Sequence, residues 1–190
     1  MNLSNDLGYI ELLKQGNSDA FSLLVDNFQE RIYNTVVNIT QCNEDAEDIT
    51  QEVFLLVYKN IQQFRGESKL STWIYRIAVT KSLEWERRKK SKKVIGYFKN
   101  LIGIASLESD VIDFVHPGIS LEKKENASML FKAIQALPKN QKVAFVFIHI
   151  EGLTYQEVSE IMKKSVKSIE GLIQRAKENL RKILTTHHSF

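Results

Sequence analysis

Cysteine is almost absent from this chain: Cys42 is the only one in 190 residues. A lone thiol excludes an intramolecular disulfide and a multi-cysteine zinc site, so a reduced, cytoplasmic setting is expected. Proline is nearly as scarce, with 2 residues, and a composition 43% hydrophobic is too apolar for wholesale disorder. No run approaches the roughly 18 to 20 apolar residues that span a bilayer; the longest candidate, Val143 to Ile150, is broken by His149. The N-terminus lacks a basic-then-apolar signal segment, so direct membrane insertion is not expected. The sequence also lacks a glycine-rich phosphate loop, a G-x-S-x-G elbow and an H-E-x-x-H helix. Its 4 histidines, His116, His149, His187 and His188, show no metal-ligand spacing. No catalytic residue, metal or cofactor is therefore expected, although distant groups can converge in a fold.

What is present is charge, unevenly placed. The formal net charge is only +3. Residues 1–64 carry 3 basic and 10 acidic side chains, whereas 65–99 carry 11 basic and 3 acidic. Residues 100–128 carry 2 basic and 5 acidic, and 129–190 carry 10 basic and 5 acidic. A near-neutral total thus conceals an acidic start, two basic blocks and an acidic connection between them.

Apolar residues recur at helical spacing almost throughout. Phe21, Leu24, Val25, Phe28, Ile32 and Val36 form one stripe between Ala20 and Ile39, and Ala46, Ile49, Val53, Val57 and Ile61 form another. Ser71 offers an N-cap for a helix through Trp73, Ile74, Ile77 and Ala78 toward Arg88. From about 92 to 120 the apolar residues are scattered and the segment reads as a linker, with room for a short helix around Tyr97 to Ile102. Beyond it, helices are expected at 121–136, 139–150, 154–162 and 166–184. Pro138 starts the second, Thr154 and Glu157 make a capping box for the third, and Ser165 caps the fourth. The expected fold is all-α: two helical domains, 1–91 and 121–186, joined by the linker 92–120, the second containing a helix-turn-helix.

In that last unit Val158, Ile161, Ile169, Leu172, Ile173 and Ala176 can share a small core, leaving Lys163, Lys164, Lys167, Ser168, Gln174, Arg175 and Lys177 outside. Such a face can enter a DNA groove, with lysines on phosphates and polar side chains on base edges; Glu170 can accept from cytosine or balance its neighbouring lysines. An ordinary solvated helix pair has the same pattern. The helix from Ser71 to Lys90 interleaves Trp73, Tyr75 and Trp85 with Arg76, Lys81, Arg87 and Arg88, which suits unstacked bases along a charged strand. Trp73 and Ile77 also fit a core stripe, and the cations fit a helix end stabilised by its dipole. Asp45, Asp48 and Glu52 share one helical face that can be solvated, dock a basic protein surface, run acid/base chemistry, or hold a metal if other ligands converge on it.

At these residues the chain resembles the bacterial sigma-70 family of RNA polymerase initiation factors, in particular its extracytoplasmic-function (ECF) group. Asp45-Ala46-Glu47-Asp48-Ile49-Thr50-Gln51-Glu52-Val53-Phe54 is similar to the family's region 2.2. Phe64-Arg65-Gly66-Glu67-Ser68, followed by Leu70-Ser71-Thr72-Trp73-Ile74-Tyr75-Arg76-Ile77-Ala78, resembles regions 2.3 and 2.4, and Ala136-Leu137-Pro138 through Leu180-Arg181 resembles region 4. The resemblance implies that Asp45, Asp48, Gln51 and Glu52 dock core RNA polymerase on its β′ subunit, with β a further contact of the factor. It implies that Phe64, Arg65, Ser68, Lys69, Trp73, Arg76, Thr80, Glu84, Arg87 and Arg88 meet the −10 promoter element as its strands separate. Thr154, Lys164, Lys167, Ser168, Glu170, Gln174 and Arg175 would then meet the −35 element. Promoter DNA is thus the second partner, and an anti-sigma protein a plausible third. The sequence departs from the family where Thr80 and Glu84 stand in place of frequent asparagine and aspartate, and where Lys163-Lys164 replaces a frequent leucine-glycine turn. A helix-turn-helix regulator that never joins polymerase is the alternative, and it would leave the acidic face of Asp45 to Glu52 without a role.

Overall fold

The computed structural model describes residues 7–101 and 129–187. Its first half is four helices. α1 (Leu7–Lys14) ends where Gly16 takes φ +76, a left-handed turn that suits glycine and lets the Asn17 amide reach the Leu12 carbonyl at 3.1 Å. Asn17 then caps α2 (Ser18–Thr40), its side-chain oxygen accepting from the Ala20 amide at 2.9 Å. α2 buries Leu24, Phe28, Ile32 and Val36 of the expected stripe and adds Ile39, while Phe21 and Val25 are half-buried beside them. α3 (Asn43–Asn60) buries Ala46, Ile49, Val53 and Val57 against it and tightens into a 3₁₀ turn over Ile61–Gln63.

α4 (Leu70–Leu101) is the longest element at 32 residues. It begins one residue before the expected cap: the Lys69 carbonyl accepts the first helical bond from the Trp73 amide at 3.2 Å, which leaves Ser71 inside the first turn. The reason is burial, because Leu70 is fully enclosed and opens a row at four-residue spacing, Leu70, Ile74, Ala78, Ser82 and Glu86. The helix also continues to Leu101, into the segment read as a linker; the remainder of that segment, 102–120, lies outside the described residues.

The second half contains α5 (129–135), α6 (Lys139–Phe145), α7 (Tyr155–Met162) and α8 (Val166–His187). α6 runs into a π-helical turn, Val146–Ile150, closed by the Glu151 amide on the Val146 carbonyl at 2.9 Å. The expected capping box at Thr154 and Glu157 is present, and the Ser168 amide donates to the Ser165 side chain at 3.2 Å. Between α7 and α8, Lys163 has φ +52, a conformation that glycine adopts with less strain.

The two halves do not keep separate cores. Val143, Ala144, Phe147, Val158, Ile161, Ile169, Leu172 and Ile173 join the cluster built by α1–α4, while Ala133, Ile134, Leu137, Val146, Ala176 and Leu180 form a smaller one of their own. Phe147 meets Tyr75 edge-on with ring centroids 5.4 Å apart. The apolar face of α6 and α7 therefore lies across α2 and α4.

Candidate polymerase and nucleic-acid interfaces

The acidic face of α3 lies beside α4. The helices run antiparallel, so that Glu52 meets Lys81 at 2.6 Å and Asp45 meets Lys89 at 3.7 Å. Asp48, Gln51 and Glu52 are exposed and Asp45 is half-buried. Lys89 also lies over the Trp85 ring, 4.5 Å from its centroid. Burial pushes the Cys42 thiol up, and Asp45 adds to the shift, so this cysteine carries little thiolate.

Six of the residues expected at the −10 element come together. Phe64, Arg65, Ser68, Trp73, Arg76 and Thr80 line one open groove of about 540 Å³. Phe64 is only 4% exposed and packs its ring on Trp73 at 5.4 Å, so it braces the groove from behind and offers no free stacking face. Gly66, at φ +72, turns the loop at the groove's edge between Arg65 and Glu67, whose side chains approach to 3.9 Å. The Thr80 hydroxyl donates to the Arg76 carbonyl at 2.7 Å, an ordinary helical back-bond. Glu84, Arg87 and Arg88 stand further along α4 and do not line the groove; both arginines are exposed, and Glu84 lies 3.9 Å from Lys81.

Two of the expected DNA contacts are engaged by α7. Lys69 pairs with Glu157 at 3.0 Å, and the Arg76 guanidinium donates twice to the Glu160 carbonyl, at 3.1 and 2.7 Å. The Thr154 backbone amide, followed by Lys69, holds the Glu157 carboxyl below its ordinary value. Lys163 reaches the groove wall from the second half, as do Leu56, Asn60 and Gln63 from the first. Periodicity alone could not have found these, because Leu56 and Asn60 come from the end of α3, Gln63 from the 3₁₀ turn and Lys163 from the turn between α7 and α8.

On α8, Lys167, Ser168, Glu170, Gln174 and Arg175 are all exposed, and Lys164 is half-buried just before it. Gly171 has no side chain in the middle of this face, and Arg175 folds back across the space that one would fill. Thr154 lies apart from the row, its hydroxyl committed to Glu157 as the cap of α7.

Two further side chains that sequence reasoning missed are buried. Lys142 (2% exposed) donates to the Glu86 carboxylate (6% exposed) and, at 3.0 Å, to the Ile39 carbonyl. Glu86 could have been noticed as the last member of the row from Leu70; nothing near Lys142 in sequence announces its burial. Among the described residues, no three His, Cys, Asp or Glu side chains gather as metal ligands, and no helix is long and apolar enough to cross a membrane. His149 packs its ring on Phe145 at 4.7 Å.

Comparison with known proteins gives two matches in chain order. The family model "Sigma-70 region 2" covers residues 24–92, and "Sigma-70, region 4" covers residues 128–180. The chain is 30% identical over 177 residues to an ECF RNA polymerase sigma-E factor of Haemophilus influenzae, covering 91% of this chain and 92% of that protein. It is 31% identical over 176 residues to the ECF RNA polymerase sigma factor SigW of Bacillus subtilis, covering 92% and 94%. Among solved structures, its fold is similar to CnrH in complex with the cytosolic domain of CnrY, with a TM-score of 0.69, 17% identity and 94% and 96% of the two chains covered. It is also similar to RpoE of Bartonella quintana in complex with the anti-sigma factor NepR, with a TM-score of 0.65, 21% identity and 87% and 96% covered.

Proposed function

The chain belongs to the sigma-70 family, in its extracytoplasmic-function group, and from that premise we propose how its surfaces divide the work of transcription initiation. A sigma factor performs no reaction of its own; the polymerase makes RNA, and the factor brings it to a promoter in the cytoplasm. The observation that carries this reading is the ordered pair of region 2 and region 4 matches, together with about 30% identity across nine-tenths of the chain to ECF sigma factors.

Residues 1–91 serve polymerase and the −10 element. The face of Asp45, Asp48, Gln51 and Glu52 docks β′, and its charge orients the encounter more than it adds affinity. The groove beside the Phe64–Lys69 loop receives an unpaired base of the non-template strand, with Trp73 as its aromatic wall and Arg65 available to phosphate, joined by Arg76 only once that side chain leaves the Glu160 carbonyl. Thr80 and Glu84 address base edges, while Arg87 and Arg88 neutralise phosphates further along α4. No hydrolysis is needed, because exposed bases gain stacking and hydrogen bonds that duplex DNA withholds from a protein.

Residues 121–186 serve the −35 element, and β is their contact on polymerase. α8 enters the major groove with Lys167, Ser168, Glu170, Gln174 and Arg175, while Lys164 and the Thr154 end of α7 meet the backbone. An anti-sigma protein is a further proposed partner, supported by the two structurally similar proteins that were solved with CnrY and NepR.

Reconstitution tests the reading. The purified chain added to core polymerase should give initiation on its own promoters, mapped by transcript 5′ ends after overexpression. Failure both to bind core polymerase and to support any initiation would overturn it. Arg87→Ala with Arg88→Ala should weaken open complexes and flatten the log–log salt dependence of binding by about 1.4 to 1.8, two phosphates' worth of counterions.

A further inference from the structure

The groove beside the Phe64–Lys69 loop does not end at α4. Along the seam where α6 and α7 of the second half meet α4 of the first, a cleft of about 380 Å³ adjoins it, and Arg76, Thr80 and Lys163 line both. The two recesses differ in chemistry. The groove, about 540 Å³, carries the half-buried Trp73 ring and the carboxamides of Asn60 and Gln63, with Glu67 at its edge. The cleft is lined by Arg76, Lys163 and Lys164 with Thr80 and Asn140, and among the described residues no carboxylate faces it.

These cations are not neutralised by neighbouring acids. Arg76 donates through Nε and one Nη group to the Glu160 carbonyl, a neutral acceptor that leaves its charge uncancelled. Among the described residues Lys163 and Lys164 enter no ion pair, whereas Lys81, the other lysine of the groove, is held by Glu52 and Glu84. Lys163 is also strained: its φ of +52 lies in the left-handed region, where glycine sits without penalty and a side chain costs free energy. A strained position occupied by a lysine that lines both recesses points to a task for its side chain.

We propose that groove and cleft together bind a free purine nucleoside diphosphate, its base stacked on Trp73 with Asn60 and Gln63 at the base edge, and its phosphates in the cleft on Arg76, Lys163 and Lys164. Each part of the ligand meets its counterpart. An aromatic side chain accepts any base by its π-face, and a purine presents the larger one. The two carboxamides offer donors and an acceptor to the base edge. Uncancelled cations in a recess hold phosphate oxygens by charge-assisted hydrogen bonds that open water would weaken. Because the phosphate cleft takes its residues from both halves, the site exists only while they are packed together. The inference goes beyond the promoter reading and needs no polymerase.

Calorimetric titration of the full chain, without polymerase, tests this with three probes: guanosine 5′-diphosphate (GDP), inorganic pyrophosphate and guanosine. GDP should bind at one site per chain and about tenfold or more tighter than either fragment. Lys163→Gly should weaken GDP about tenfold with a thermal midpoint equal to or above wild type, because glycine relieves the turn, and Lys163→Arg should restore the affinity. Trp73→Leu should weaken GDP by about tenfold and leave pyrophosphate unaltered. If that variant does not fold by circular dichroism, the guanosine arm and the Lys163 variants decide alone. Absence of GDP binding overturns the proposal. So does GDP bound no tighter than pyrophosphate, which would leave an anion site only, or a folded Lys163→Gly chain with wild-type affinity. The promoter reading is scored separately with a single-stranded oligonucleotide of mixed sequence: GDP binding that the oligonucleotide does not displace removes Trp73 from the −10 surface and upholds the nucleotide site. A chain that initiates with core polymerase and binds no GDP removes only the nucleotide site.

Discussion

On one flank of α4, Lys81 and Lys89 meet Glu52 and Asp45 of α3 with side chains a quarter to a half exposed; on the other, Glu86 meets Lys142 of α6 with side chains 7% and 3% exposed. The chemistry is the same and the solvent differs. In water an ion pair contributes about 0 to 1 kcal/mol and is screened by salt, so Glu52 and Asp45 can exchange their lysines for a partner's cations at small cost. In the dry seam the pair adds little over an apolar substitute, but losing one member is severe because the other stays buried. The exposed flank is built for exchange, and the buried flank selects an arrangement of the two halves.

The largest test of that contrast is Lys142→Ala, expected to cost the folded chain about 3 to 5 kcal/mol. Urea titration should show a correspondingly lower midpoint, and a cost below about 1 kcal/mol would mean that water already reaches the pair.

Glu151→Gln comes next, with the opposite sign. Burial raises this carboxyl above its ordinary 4.5, so its ionisation weighs against the fold as pH rises through the folded value. The variant should be the more stable protein at neutral pH, and its advantage should vanish below about pH 4.5. An advantage that persists in acid would refute burial as the cause.

Glu157→Gln should be smaller, costing about 0.3 to 1 kcal/mol as a charge at the start of α7 is lost. Its carboxyl lies below the ordinary value, so the deficit should be full at neutral pH and disappear as pH falls through the folded value. Thermal unfolding across pH separates this curve from that of Glu151→Gln, because the variants differ from wild type in opposite directions.

Smallest is Glu52→Gln, expected to change stability by less than about 0.5 kcal/mol despite a pair at 2.6 Å. Its effect should appear instead as a slower, less salt-sensitive association with core polymerase. A large stability loss would place this pair with the buried one.

The two flanks also differ in how much the sequence revealed. The stripes of α2 and α3, the Thr154–Glu157 box, the Ser165 cap and the exposed row on α8 all follow from residues within a turn or two of one another, and each is where spacing places it. The groove was half legible: its loop and Trp73 were recognisable, whereas Lys163 comes from another part of the fold. The seam was not legible. Its hydrogen bonds join residues 56 to 103 positions apart, and periodicity reports which face a helix hides without saying what hides it. Ser71 misled for a related reason: as a residue type it favours a cap, but the buried Leu70 before it had already committed the chain to helix.

The row Leu70, Ile74, Ala78, Ser82, Glu86 advances four residues at a time, and four residues overshoot a helical turn by about 40°. Over its length the row therefore winds about 160° around the axis, like a screw thread. The same edge that seals the Phe64 loop at its start faces α6 by its end, and a single helix hands burial from one half of the molecule to the other. Phase matters more than composition in such a thread. One residue inserted after Ala78 would turn Glu86 by about 100° away from Lys142 while leaving Leu70 and Ile74 seated, so the reading groove and the seam are kept in step by the count of residues between them.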